Sequence, residues 1–434
     1  MKIIKKPKGT DDVLPSSIDK WYYVEEQFKK LCNEFGYHEI RTPMFEFTDL
    51  FRRGVGETTD VVQKEMFNLE QRVGEGGKTT EALTLKPEVT APVVRAFIEN
   101  SLYGNAQPTK VFYNSPCFRY EKPQKGRMRE FHQFGIEVLS SKAPYTDAEV
   151  IALVATFFER LGIAEHIKLQ INSVGTPESR KNYSDALKKF FEPNLNELCE
   201  DCKERFEKNP MRLLDCKVTS CKAIGKGAPL IIDYLDEDSK MHFESLQEYL
   251  DIMGIAYEID PYIVRGLDYY VKTAFEFVTD KLGSQATVCG GGRYDGLVEQ
   301  LGGPSTAGIG FGMGIERLLL LMDTVGAEFP PSDAMNLFIV ALDEQAKKKA
   351  VEIIHMLRKK GISCEVDHLD RSMKAQMKYA DKIGVKYTAI IGESEIQNNC
   401  LILKNMTTSQ QQEITLNNFA DEFVNIIGKG AQHG

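Results

Sequence analysis

The sequence predicts a mixed α+β protein that carries a second, α/β domain at its C-terminal end. Three observations lead there. At 434 residues the chain exceeds what one hydrophobic core normally serves, so two or three domains are expected. Between Lys110 and Leu139 two alternating strand patterns flank the polar turn Glu121-Lys122-Pro123-Gln124-Lys125-Gly126, the pattern of an antiparallel hairpin. From Asn336 onward, strand and helix patterns take turns.

Asp19 to Phe35 reads as an amphipathic helix, with Trp21, Val24, Phe28, Leu31 and Phe35 spaced for one face. Tyr37 to Pro43 alternates like a strand and stops at proline. Asp147 to Leu161 is helical. From about 170 to 255 the chain becomes charged and helix-forming, which reads as an insertion into the main domain. Strand signals return at Ile263 to Val278 and near Val288. The glycine-rich run Gly308 to Gly314 then feeds the apolar helix Ile315 to Met322, and its glycines are expected to let that helix entry pack closely against backbone. Residues 326–334 have linker composition, so the domains are placed at 1–325 and 335–430. In the second, strands at Asn336 to Ala341, Ser363 to Val366 and Tyr387 to Ile391 alternate with helices at Gln345 to Lys360 and Ser372 to Ile383.

The composition, 42% hydrophobic and 27% charged, is that of an ordinary soluble protein. No run approaches the roughly 18 apolar residues of a membrane span, and the first residues lack an apolar signal core. A cytosolic protein without a membrane partner is expected. The net charge of −9 argues against nucleic-acid binding by overall charge. Locally, however, Arg119, Lys122, Lys125, Arg127 and Arg129 face only Glu121 within one short window, a basic patch the size of a site.

Common nucleotide motifs fail. Gly76-Gly77-Lys78-Thr79 lacks the first glycine of a P-loop, since position 72 is Arg72, and the run from Gly308 misses G-x-G-x-x-G at Met313. Among nine cysteines, Cys199, Cys202, Cys216 and Cys221 have the spacing C-x2-C-x13-C-x4-C. That spacing suits a structural zinc site, and thiols without metal are the alternative.

Two polar constellations stand out. Arg265 lies in an apolar, aromatic run that ends in Tyr269 and Tyr270. A buried guanidinium, which cannot lose its charge, needs an anion there: either the nearby Asp268 or a bound phosphate or carboxylate. In the hairpin, alternation puts Gln133 and Glu137 on one face, opposite Phe134, Ile136 and Val138, and puts Arg119 on the same face as Val111, Tyr113, Ser115 and Cys117. Three polar groups then converge on one sheet surface, as a ligand site or as a salt-bridged face.

Phe118-Arg119-Tyr120-Glu121 leading to Phe131-His132-Gln133-Phe134-Gly135 resembles motif 2 of class II aminoacyl-tRNA synthetases. The run from Gly308 to Leu318 resembles motif 3, and the helix and strand ending at Pro43 resemble motif 1. Arg265-Gly266-Leu267-Asp268-Tyr269-Tyr270 and Gly291-Gly292-Arg293-Tyr294-Asp295-Gly296-Leu297 are similar to the two signatures of the histidyl-tRNA synthetase family. The resemblance implies an antiparallel-sheet catalytic core flanked by helices, with a mostly helical insertion, and a C-terminal α/β anticodon-binding domain.

It also implies a two-step reaction in which histidine and ATP form histidyl-adenylate, and the histidyl group passes to the terminal adenosine of histidine tRNA. By family position, Arg265 and Arg119 act as catalytic residues at the α-phosphate, where losing one such donor costs on the order of 10²–10³ in rate. Arg127 reaches the γ-phosphate, Arg317 stacks on adenine, and Mg²⁺ bridges phosphate oxygens. Glu88, Thr90 and Gln133 receive the histidine ammonium, while Glu137, Tyr269, Tyr270 and Tyr294 read the imidazole. Gln124, Arg127 and Arg129 meet the tRNA acceptor end, and the motif 1 elements form a homodimer. One departure is Val89, where the family commonly has glycine. The competing reading is a catalytically silent paralogue, a histidine-sensing regulatory subunit of ATP phosphoribosyltransferase; such proteins typically lack both the anticodon domain and the Arg265-type arginine.

Overall fold

The computed structural model describes residues 3–57, 59–71, 80–214, 216, 218–263, 269–283, 287–331 and 334–430. It divides into two compact units, Met1–Pro330 and Pro331–Gly434. Arg265 and Asp268, and the turn at Gly76 to Thr79, lie outside the described residues.

The first unit is built on a sheet that has, among the described residues, eight strands. Their order is His38–Glu39, Thr109–Phe118, Glu130–Leu139, Gly308–Gly314, Thr287–Arg293, Val271–Val278, Lys168–Ser173 and Glu258–Ile259. The six central strands pair antiparallel, and only the two short edge strands pair parallel. Alternation assigns each face. Phe134, Ile136, Val138, Phe275, Ile309 and Phe311 point into the main core. There they meet Val24, Phe28 and Leu31 of the helix Ile18–Glu34 and the apolar side of the helix Pro144–Arg160. The opposite face carries the polar residues of the hairpin.

The run from Gly308 to Gly314 differs from expectation. It is a central strand, not the entry of a helix, and its helix begins only at Ile315. Ile309, Phe311 and Met313 give the strand its core face, so Gly308, Gly310 and Gly312 fall on the polar face. Neighbouring side chains need that space. A Cβ on Gly308 would fall inside the Tyr294 ring, and one on Gly310 inside the Glu137 carboxyl group.

The stretch from 170 to 255 also divides differently. Lys168–Ser173 is a strand of the large sheet, and the helix Glu237–Ile252 buries Phe243, Leu246 and Leu250 in the main core. Only the part between them forms a separate small cluster, around Tyr183, Leu187, Phe191, Phe206 and Leu213. The strand pattern beginning at Ile263 resolves into the strand Val271–Val278, preceded by the buried Ile263.

The second unit has a five-stranded mixed sheet in the order Cys364–Val366, Leu337–Ala341, Tyr387–Ile391, Cys400–Asn405 and Gln411–Thr415. The first three strands are parallel, as the alternating pattern predicts, and the last two add an antiparallel hairpin. The helices Glu344–Lys359 and Phe419–Gly430 contribute to its core through Ile353, Leu357, Phe419 and Phe423.

Candidate active site

The polar face of the large sheet forms the floor of a cavity of about 300 Å³, whose walls include Glu88, Thr90, Arg119, Gln133, Tyr270 and Arg317. Register explains the floor. Tyr113, Gly135, Gly312 and Gly290 lie in one row across four strands, and Val111, Glu137, Gly310 and Gly292 lie in the next. The glycines keep the floor low, and the few side chains rising from it do so where the glycines make room.

Glu137 is completely buried, and burial pushes its carboxyl up to about 8 against hydrogen bonds that favour the charged form. Thr90 Oγ1 donates to its Oε1 at 2.8 Å, the Tyr113 hydroxyl donates at 3.3 Å, and the Tyr294 hydroxyl donates to Oε2. The Tyr294 ring meets Tyr269 edge to face at 5.6 Å, and Tyr269 lies 4.7 Å from Tyr270 between centroids. Two tyrosine hydroxyls thus meet one carboxyl group, and two further tyrosine rings pack on from Tyr294.

Glu88 sits just before the helix Thr90–Glu99 and accepts the backbone N–H groups of Thr90 and Ala91 at 2.8 and 2.9 Å. Free amides at a helix start seek an acceptor, and a carboxylate also complements the helix dipole. Burial nevertheless raises the Glu88 carboxyl. Val89 takes φ −114° and ψ −17°, a negative φ that does not call for glycine's freedom. Its side chain packs with Val93, Val111 and Cys117. With valine at this position, Glu88 still accepts both amides of the helix start. Gln133, four residues before Glu137 on the same strand face, accepts a hydrogen bond from the Cys117 thiol at 3.3 Å.

The basic side is built from three separate segments. Arg119 donates from Nε to the Pro87 carbonyl at 2.8 Å and lies 5.3 Å from the Phe131 ring. Arg127 is paired with Glu121. Arg317, in the first turn of the helix Ile315–Val325, donates to the Thr287 carbonyl at 2.6 Å and to the Gly126 carbonyl at 3.2 Å. Burial lowers the Arg317 pKa, and the neighbouring Arg127 and Arg119 lower it further. Mutual repulsion among three guanidinium groups is relieved by an anion. The hairpin tip closes as a tight turn in which Gln124 and Arg127 exchange backbone hydrogen bonds at 2.9 and 3.1 Å. Gln124 is exposed there. Arg129 is engaged instead in the hairpin base, 3.9 Å over the Tyr120 ring and donating to the Glu121 carbonyl at 3.1 Å.

The structure thus brings Glu88, Thr90, Arg119, Arg127, Gln133, Tyr269, Tyr270 and Arg317 together around one cavity, with Glu137 and Tyr294 buried next to it and joined to its wall through Thr90. Arg265 lies outside the described residues. Sequence reasoning missed Tyr113, although alternation had placed it on the Gln133 face, and it missed Glu316. The Glu316 carboxylate accepts His132 N–H at 2.9 Å and meets His132 Nδ1 at 2.9 Å, tying motif 2 to motif 3. Arg293 has a structural place, fully buried against Asp147.

The family model for histidyl-tRNA synthetase matches residues 9–318, and that for an anticodon binding domain matches residues 336–426. The chain is 54% identical over 425 residues to a histidine–tRNA ligase of Clostridium perfringens, a match covering 98% of this chain and 99% of that protein. It is 52% identical over 414 residues to the histidine–tRNA ligase of Caldanaerobacter subterraneus subsp. tengcongensis, with 95% and 98% covered. The crystal structure of apo S. aureus histidyl-tRNA synthetase matches with a TM-score of 0.80 at 44% identity, covering 97% of this chain and all of that one. With the family match spanning the whole sheet unit and the relatives covered nearly end to end, the chain belongs to the histidyl-tRNA synthetase family of class II aminoacyl-tRNA synthetases.

Proposed function

We infer that this chain is a histidine–tRNA ligase, which activates histidine with ATP and transfers the histidyl group to the terminal adenosine of histidine tRNA. The observation that supports this most is the polarity of the cavity along one strand. Glu137 lies four residues, about 13 Å, from Gln133. The arginines Arg119, Arg127 and Arg317 gather at the Gln133 end, where the strand runs back into the hairpin tip. An imidazole at Glu137 and a triphosphate among the arginines would bring a histidine carboxylate and an α-phosphate together between them.

In the first step the carboxylate oxygen bonds to the α-phosphorus and the bond to pyrophosphate breaks. Arg119 is proposed to hold the α-phosphate oxygens, together with Arg265. Arg127 is proposed to hold the γ-phosphate and Arg317 to stack on adenine. Glu137, with Tyr269, Tyr270 and Tyr294, orients the imidazole through its N–H, while Glu88, Thr90 and Gln133 accept from the ammonium. In the second step the terminal ribose hydroxyl attacks the carbonyl carbon and AMP leaves.

Glu121 and Glu316 line the same cavity and offer the oxygen donors that Mg²⁺ takes. Bound with the nucleotide, the ion would neutralise phosphate charge and ease departure of pyrophosphate. The hairpin tip with Gln124 and Arg127 is proposed to meet the acceptor end of tRNA. Arg129 is proposed to support it from the hairpin base, and the C-terminal unit to meet the anticodon. A homodimer through the motif 1 elements and a cytosolic location complete the reading. Among the described residues no helix is long and apolar enough to cross a membrane. The full-length likeness to histidine–tRNA ligases disfavours a silent regulatory paralogue. Histidine-dependent exchange of labelled pyrophosphate into ATP tests the proposal; a folded preparation with Mg²⁺ that shows no exchange overturns it.

A further inference from the structure

Away from the cavity, the small cluster between Ser173 and Glu237 holds a second chemical feature. Cys199 caps the helix Glu200–Lys208, Cys202 lies in its first turn, Cys216 follows the short helix Pro210–Leu213, and Cys221 lies in the helix Thr219–Gly225. Three segments thus deliver four thiols, two of them from one helix start. All four sulfurs lie within 4.8 Å of one another, and Cys199 Sγ and Cys216 Sγ are 3.8 Å apart. Among the described residues no other group of three or more such side chains is assembled in this way.

The spacing discriminates between chemistries. Four sulfurs each about 2.3 Å from one central ion form a tetrahedron with edges of about 3.8 Å. A disulfide needs sulfurs about 2.05 Å apart and would join the thiols in two pairs, whereas these four are mutually close. Backbone N–H groups are aimed at the sulfurs as well. Cys199 N–H donates to Cys221 Sγ at 3.2 Å, and the backbone N–H groups of Cys202 and Val218 favour the charged forms of Cys199 and Cys216. Such donors stabilise thiolate charge, which a cluster of neutral thiols serving as apolar filler does not require. Three of the four cysteines are buried, so the charge of four thiolates would be untenable without a cation.

We propose that Cys199, Cys202, Cys216 and Cys221 bind one zinc ion as a closed tetrathiolate that staples this inserted module. The module has a small core of its own, the circumstance in which a structural metal contributes most. Its docking contacts lie beside the knot. Arg212 reaches Asp60 at 2.8 Å and Arg205 reaches it at 3.7 Å. Asp60 precedes the segment whose Glu65 carbonyl accepts the Tyr120 N–H at the base of the motif 2 hairpin. The metal therefore fixes the elements that carry both arginines. The site is independent of the proposed reaction, since zinc content and pyrophosphate exchange are measured separately.

The test uses untagged full-length protein purified under reducing conditions, dialysed against a weak chelator and assayed by elemental analysis. About one equivalent of zinc per chain is expected, released in step with titration of the thiols by a mercurial. Cobalt(II) exchanged into the wild-type protein is expected to show thiolate-to-cobalt charge transfer and the intense visible bands of tetrahedral coordination, a readout that requires no variant to fold. In C199S/C202S zinc is expected to fall below about a tenth of an equivalent, with faster proteolysis between residues 177 and 234. Less than a tenth of an equivalent in reduced wild-type protein supplied with zinc would overturn the proposal. So would full zinc retention in the double variant, or an octahedral cobalt spectrum.

Discussion

The Tyr294 hydroxyl donates a hydrogen bond to Glu137 Oε2, and the two residues, 157 positions apart, are both almost wholly buried. Burial raises both acids: the carboxyl to about 8, and the phenol well above its ordinary value. A carboxyl group whose proton is retained by its surroundings, with Thr90 and Tyr113 donating to its other oxygen, is poised to ionise when a cationic or N–H-bearing ligand arrives.

The first prediction concerns proton linkage. Because the folded Glu137 holds its proton to higher pH than the unfolded chain does, the folded state binds more protons between about 4.5 and 8. Stability of the ligand-free protein from this group is therefore full below about 4.5 and falls as pH rises through 8, with a slope of at most about 1.4 kcal/mol per pH unit. E137Q removes that slope. Histidine binding to the wild type at pH 7 should release a proton as the carboxyl ionises, detectable by calorimetry in buffers of different ionisation enthalpy. E137Q should release none and raise the histidine KM about 10- to 100-fold, the worth of a charged hydrogen bond. Equal proton release by wild type and variant would remove Glu137 from the imidazole site.

The second concerns Asp147, which is fully buried and joins four elements of the sheet and its helices. Its carboxylate pairs with Arg293, accepts from Thr273 Oγ1 at 2.6 Å and meets His242 Nε2 at 2.8 Å. Burial would raise this acid, but Arg293 and His242 hold it below the usual carboxylate range. Arg293 has further partners in Asp295 at 3.1 Å and the Ser141 carbonyl at 2.7 Å, yet it is entirely removed from solvent. Asp147→Ala leaves that cation without its principal partner and should cost about 3–5 kcal/mol in denaturant unfolding of the first unit. A loss under about 1 kcal/mol would mean that the network contributes specificity and not stability.

These two residues show what was legible in the chain and what was not. Period-two alternation is local, so Gln133 and Glu137 could be placed on one face, opposite Phe134 and Ile136, without any structure. Tyr113 was on the right face too, but its hydrogen bond to Glu137 depends on cross-strand register, which the long turn between the strands does not specify. The strand from Gly308 to Gly314 was hidden because glycine has poor strand propensity; its signal was the alternation of Ile309, Phe311 and Met313. The helix Glu237–Ile252 looked like part of a charged insertion because its many charges outnumber the stripe Phe243, Leu246 and Leu250 that enters the core. Arg293 and Asp147 belong to motifs far apart in sequence, and no local pattern pairs them.

The last prediction separates the two ends of the cavity. Arg317 uses its fork twice, to the Thr287 carbonyl on the neighbouring strand and to the Gly126 carbonyl in the hairpin tip, and so holds the tip against the sheet while lining the cavity. Lysine keeps the charge but offers neither the plane nor two donors in fixed directions. If the charge alone matters, Arg317→Lys will bind ATP as the wild type does. If the fork and plane matter, the ATP KM should rise about 10- to 100-fold, corresponding to the loss of about 1.5–3 kcal/mol in charge-assisted contacts. The histidine KM should move little, because Arg317 joins no hydrogen bond to Glu137, Glu88 or Thr90. Pyrophosphate exchange measured against each substrate in turn distinguishes these cases. A parallel rise in both KM values would show instead that the variant had collapsed the shared floor of glycines rather than one end of the site.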